Sequence, residues 1–163
     1  MMSENLHCTK NLNCITMFEE GNIVYFTPFY FTNGKSAPKP KYCIILKLTS
    51  ESTLIASLPT RSDAIPSEIP IVTGCIELPN INFNSFIIDA QTVVTTCGKH
   101  FDFPTFIYGH QLDFYSIDSF KDIYRIEGTD YEIFGKLKKE LYQNILACLK
   151  NSKSVKKKFI SYL

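Results

Sequence analysis

Residues 21–63 constrain the fold more than any other part of the chain. They hold Gly21-Asn22-Ile23-Val24-Tyr25-Phe26, then Lys41-Tyr42-Cys43-Ile44-Ile45-Leu46, then a run that ends in Leu58-Pro59-Thr60-Arg61-Ser62-Asp63. The runs are short, rich in β-branched and aromatic residues, and separated by turn residues, which is the pattern of strands. Strands so close in sequence predict a small antiparallel sheet. Residues 23–30 are apolar on both faces. A strand of that kind is buried by a closed or strongly curled sheet, so a barrel is the expected form. Residues 31–40 carry Asn33-Gly34, Lys35, Ser36, Pro38, Lys39 and Pro40, a composition that predicts an exposed, mobile basic loop.

The short apolar runs continue downstream. Ser50-Glu51-Ser52 reads as a tight connection, Pro59 stops the arm that follows it, and further strands are predicted over 71–76, 85–89 and 92–97, with turns at Leu78-Pro79-Asn80 and Gly98-Lys99. Residues 106–114 fit either a strand or an extended loop. Ile117, Phe120 and Tyr124 recur at helical spacing and predict a short helix before Gly128. Thr129 with Glu132 forms a capping-box pattern, and Phe134, Leu137, Leu141, Ile145 and Cys148 make one stripe, so a helix is predicted over 129–151. A basic stretch at 152–158 and an apolar one at 159–163 predict a short second helix or a docked tail. The chain therefore divides into an extension over 1–16, or a strand at the barrel edge in its place, a mainly β barrel domain over 17–128 and a helical extension over 129–163 packed on it: an α+β chain.

With 163 residues, 45% of them hydrophobic and 20% charged, the chain has an ordinary globular balance and the length of one domain. Its formal charge of +1 announces no nucleic-acid binder, so any such contact has to come from local basic clusters. Cys8, Cys14, Cys43, Cys75, Cys97 and Cys148 form no C-x-x-C pair, and Cys43 and Cys148 sit within apolar patterns. Reduced thiols in a reducing compartment are the expectation. No apolar stretch is long enough to span a membrane and no basic, apolar leader opens the chain, so the expected location is cytoplasmic, with no membrane partner.

The order of the segments resembles the MazF/PemK family of toxin endoribonucleases. Members typically read G-D-I-V, then R-P-A-L-V-L, then P-I-T-S and later L-D-Q. The matching stretches are Gly21-Asn22-Ile23-Val24, Lys41-Tyr42-Cys43-Ile44-Ile45-Leu46, Leu58-Pro59-Thr60-Arg61 and Ile88-Asp89-Ala90-Gln91, and the likeness covers residues 20–112. It implies an SH3-like antiparallel barrel, a homodimer from a toxin-antitoxin pair, neutralised by an antitoxin protein, and cleavage of single-stranded RNA with no metal or other cofactor. In that chemistry the ribose 2′-hydroxyl attacks its own phosphate while an arginine and a threonine at strand ends stabilise the phosphorane. Carried over residue by residue, the catalytic set is Lys41, Thr60 and Arg61. Lys41 stands where the family has arginine and Tyr42 where it has proline; lysine supplies charge without a bidentate fork. Without the resemblance, the same residues read as a surface lysine beside a strand-terminating Thr-Arg pair. A barrel that binds protein or nucleic acid without cleaving is the alternative function.

Other constellations are weaker. Tyr25, Phe26, Phe29, Tyr30 and Phe31 crowd the first strand and its loop beside Lys35, Lys39 and Lys41. Most of these rings are expected in the core; Tyr30 and Phe31 are the ones expected to stack RNA bases, with Lys35 and Lys39 on the phosphates. His100 and His110 are an acid–base pair by residue type, although no spacing requires them to meet. Glu19, Glu20, Asp63 and Glu68 are carboxylates expected near the site, as bases or as solvated loop charges. Asp118 and Asp122 read as a helix-surface pair and no Cys or His residues stand at ligand spacing, so no metal site is expected.

Overall fold

The central strands pair as their apolar alternation demands. In a computed structural model, which describes residues 16–32 and 34–163, β1 (Asn22–Phe29) runs antiparallel to β2 (Lys39–Leu48), and β2 to β3 (Ser52–Ser57). Register places Ile23 opposite Ile44, Val24 opposite Cys43 and Phe26 opposite Lys41. Two more strands complete this sheet in the order β7-β3-β2-β1-β8, with β7 (Asp113–Ser116) and β8 (Tyr131–Lys136) at its edges. A second antiparallel sheet has the order β4-β5-β6, from Gly74–Leu78, Phe83–Ile88 and Thr105–Tyr108. The mainly antiparallel α+β class is as expected. The expected extension over 1–16 lies outside the described residues except for Thr16.

Both faces of the larger sheet are covered. Ile23, Ile44, Leu46, Leu54 and Ala56 meet Phe86, Ile88 and Ile107 of the second sheet, together with Ile145 and Leu149 of α2 (Lys139–Lys150) and Phe159 of α3 (Lys157–Ile160). On the other face Val24, Phe26, Phe29, Cys43, Ile45 and Ile55 pack against Tyr115 and against Phe120 and Tyr124 of the α1 region (Ile117–Ile123). The Ser116 hydroxyl caps α1 by accepting the Ser119 N–H at 3.2 Å. The second sheet also has an outer core, where residues 65–71 lay isoleucines over Phe83, Ile87, Phe106 and Tyr108. The sheets approach where the Phe106 N–H of β6 donates to the Pro59 carbonyl just past β3 at 3.0 Å, and Thr96 N–H, from the segment outside both sheets, donates to the Lys136 carbonyl at 2.9 Å.

Three expectations are corrected. The predicted helix over 129–151 begins only at Lys139, because Tyr131–Lys136 completes the edge of β1, with Val24 opposite Ile133 and Phe26 opposite Tyr131. The capping-box pattern is pre-empted by the turn before it, where the Asp130 carboxylate accepts the N–H groups of Arg125 and Ile126, each at 2.9 Å. Edge pairing outweighs a local helix preference worth a fraction of a kcal/mol per residue. Residues 92–97 make only isolated bridges, Val93 with His100 and Thr95 with Leu137, because they fold back across Gly135. The cysteines are not all reduced: Cys75 on β4 is bonded to Cys148 on α2, Cys97 is also disulfide-bonded, and Cys43 is free and buried. Cys148 faces the core as its stripe predicts, and there it meets Cys75 across 73 residues of sequence, a pairing that no local spacing announces.

The C-terminal segment is anchored by polar contacts at β4. Burial works to raise the Glu77 carboxyl, but hydrogen bonds from Ser152, Asn84, the Lys153 N–H and Ser154 outweigh it and hold it below the ordinary range. No helix among the described residues is long and apolar enough to cross a membrane.

Two stability measurements test this packing. A Cβ at Gly109 would stand 2.7 Å from both Asn84 Oδ1 and Val155 Cγ2, so Gly109→Ala should cost about 1–3 kcal/mol in denaturant unfolding through overpacking. The Cys75–Cys148 bond closes a long loop, so Cys75→Ser, or reduction of the native chain, should lower stability by up to about 4 kcal/mol. Identical unfolding midpoints with and without reductant would contradict the second expectation.

Candidate functional site

Alternation along β2 puts residues 39, 41, 43 and 45 on one face. Cys43 and Ile45 are fully buried there beneath the α1 region, and Lys41 and Lys39 continue that face as it reaches the rim of the core. Lys41 is half-buried opposite Phe26, and Lys39 is exposed opposite Phe29. Extending the β2–β3 register brings the chain past Pro59 alongside Lys41, because Leu58 N–H donates to the Tyr42 carbonyl at 2.9 Å. Arg61 follows, its carbonyl accepting the Tyr108 hydroxyl at 2.7 Å. The sequence-predicted Lys41 and Arg61 are thus brought to one end of the sheet.

The electrostatics register the proximity. The Lys41 ammonium is held below the ordinary lysine value first by burial, then by the charge of Lys39 and also by that of Arg61; Cys43 acts in the opposite direction. Lys39, Lys41 and Arg61 make no ion pair among the described residues. Mutually repelling cations with no carboxylate between them form a site that an anion stabilises. Thr60 is exposed and its hydroxyl makes no hydrogen bond among the described residues.

The remaining predicted residues separate. Phe31 packs edge-on against Phe29, with ring centroids 5.0 Å apart, and carries the Lys39 ammonium over its own ring at 5.8 Å. Tyr30 is 46% exposed. Its N–H donates to the Tyr124 hydroxyl at 2.9 Å. Lys35 lies exposed in the loop. Glu19 and Glu20 are not near the cations: Glu19 pairs with Lys136, while Glu20 pairs with Lys47 at 3.5 Å and accepts the Leu48 N–H, so both brace the far ends of β2 and β8. Asp63 stays near the predicted site, where after burial it helps raise the Tyr108 phenol to about 12. His100 approaches Asp102, and His110 lies beside Tyr108, so each histidine has its own surroundings.

A cleft of about 370 Å³ opens beside Tyr30, lined by Thr27, Pro28, Tyr30, Ile123, Tyr124 and Asp130. Apart from Tyr30, none of these residues was expected at a site; Tyr124 was read only as part of a short helix, and no local pattern marks Asp130 for a cleft. No family model, curated protein or solved structure matches this chain.

The depressed lysine gives the site a pH signature. Charge at Lys41 is lost on the alkaline side at a pH below the ordinary 10.5, so phosphate binding that uses it should weaken as pH rises within that window. Lys41→Arg should flatten the profile, since arginine stays protonated throughout. Titrating a 5′-phosphorylated oligonucleotide across the window checks this; the same alkaline loss in both proteins would assign the titration to another group.

Proposed function

We propose that the chain is a MazF/PemK-like endoribonuclease that cleaves single-stranded RNA at the Lys41, Thr60 and Arg61 end of the larger sheet. The observation that carries the reading is the convergence of Lys39, Lys41 and Arg61 with no ion pair among the described residues, on elements whose order matches the family motifs. The ribose 2′-oxygen attacks the adjacent phosphorus and the 5′-oxygen leaves. The 2′-hydroxyl proton passes to solvent, and the departing oxygen takes one up. Lys41 and Arg61 stabilise the extra oxygen charge and Thr60 donates a hydrogen bond to it. The approach of β6 to the end of β3, where the Phe106 N–H donates to the Pro59 carbonyl, supports an SH3-like, partly open barrel, and the same resemblance carries a homodimer and an antitoxin partner.

A second reading, a barrel that binds RNA without cleaving, is favoured by one observation: the Thr60 hydroxyl is fixed by no hydrogen bond among the described residues, and a catalytic donor needs a fixed position.

Cleavage of single-stranded RNA by the purified chain should survive a chelator, because side chains supply the positive charge. Thr60→Ala and Lys41→Ala should each lower it by about two to three powers of ten, the scale of one transition-state donor. Lys41→Arg should preserve or raise it. Cleavage indifferent to all three substitutions would sink the assignment, and Lys41-dependent binding with no cleavage would select the second reading.

A further inference from the structure

We propose that the cleft beside Tyr30 is a base-recognition subsite, taking one nucleobase that bears an exocyclic amino group while Lys39 and Lys41 hold the phosphates of the same strand. The inference rests on the RNA reading above and deepens it.

The cleft's size, about 370 Å³, is at the lower end of small-ligand sites, roughly 300–1,000 Å³. Its walls suit a flat apolar ring: Tyr30 on one side, with its backbone pinned by the Tyr124 hydroxyl, and Ile123, 44% exposed, among the other lining residues. Single-stranded bases stack on exposed aromatic faces whatever their sequence.

Selectivity comes from Asp130. Its Oδ2 accepts the N–H groups of Arg125 and Ile126, and its carbonyl accepts the Thr27 N–H at 3.0 Å, so the residue is held from both ends. Its Oδ1 makes no hydrogen bond among the described residues. An ionised carboxylate is acceptor-only. A base is matched to it by an amino N–H, as on cytosine N4 or adenine N6, whereas uracil offers a single N3–H flanked by two carbonyl oxygens that the charge repels. The same charge keeps phosphate out of the cleft. Phosphate has its own place on the neighbouring strand β2: Lys39 is the cross-strand partner of Phe29 and covers the ring of Phe31, the two residues that flank Tyr30 in sequence.

The test is fluorescence anisotropy of the full chain with 2′-O-methyl oligonucleotides of about ten residues, within the usual site size, made of C, A or U alone and unable to undergo 2′-attack. C and A should bind several-fold more tightly than U. Asp130→Asn keeps an oxygen for the Arg125 and Ile126 N–H groups but adds a donor, so it should collapse that ratio. Tyr30→Ala, at an exposed ring, should weaken all three by about ten-fold, and Lys41→Ala should weaken all three without altering their ratio. Equal binding of C, A and U, or a ratio unchanged by Asp130→Asn, overturns the subsite even where Lys41→Ala weakens binding and the RNA reading stands. Discrimination that depends on Asp130 but ignores Lys41→Ala supports the subsite and overturns the phosphate site. No binding of any oligonucleotide overturns both.

Discussion

The larger sheet is buried on both faces, and the rest of the molecule is arranged around that. Ile44 and Leu46 of β2 point into one core, Cys43 and Ile45 into the other, and all four are fully buried. A side chain of this size contributes about 1.5–3 kcal/mol when buried. A slip of one residue would exchange the two faces of the strand along its whole length. Register is therefore rigid, and rigidity reaches the site: Lys39 and Lys41 stand where they do because the face that buries Cys43 and Ile45 runs out at the sheet's rim.

Aromatic packing finishes that end. Phe26, Phe120 and Tyr124 form a close triangle, with centroids 5.6, 4.5 and 5.0 Å apart, and Phe29 joins them through Tyr115 at 5.3 Å. Burial pushes the Tyr124 phenol up to about 12, so it stays neutral and continues to accept the Tyr30 N–H. Charge is sorted along the sheet as well. Glu19 and Glu20 are consumed by Lys136 and Lys47 at the opposite end, while Lys39, Lys41 and Arg61 make no ion pair among the described residues. A formal charge of +1 is thus compatible with a strongly local field.

The Cys75–Cys148 bond ties the edge strand of the smaller sheet to α2. Together with the hydrogen bonds of Glu77 to Lys153 and Ser154, it makes the C-terminal segment part of the same packed unit as the strands.

The sequence by itself determined what depends on near neighbours. The three-strand run over 21–63, its tight connection at Ser50-Glu51-Ser52, the stop at Pro59, the short helix marked by Ile117 and Phe120 and the stripe of Leu141, Ile145 and Cys148 were all legible, because alternation, turn chemistry and helical spacing are local properties. So was the approach of a basic strand start to Arg61, since a tight turn joins β2 and β3, although a register shift between Ile45 and Lys47 sets which residues finally face each other. Tertiary structure decided the rest. Residues 131–136 became strand because β1 had an open edge to fill, 92–97 lost their ladder to the close approach of Gly135, and Cys148 found Cys75 across the fold. Asp130 and Ile123 came to line a cleft beside Tyr30 only because β8 brings the 124–130 turn against the end of β1. Such contacts join residues far apart in sequence, and short-range pattern carries no term for which distant edge or side chain will be waiting.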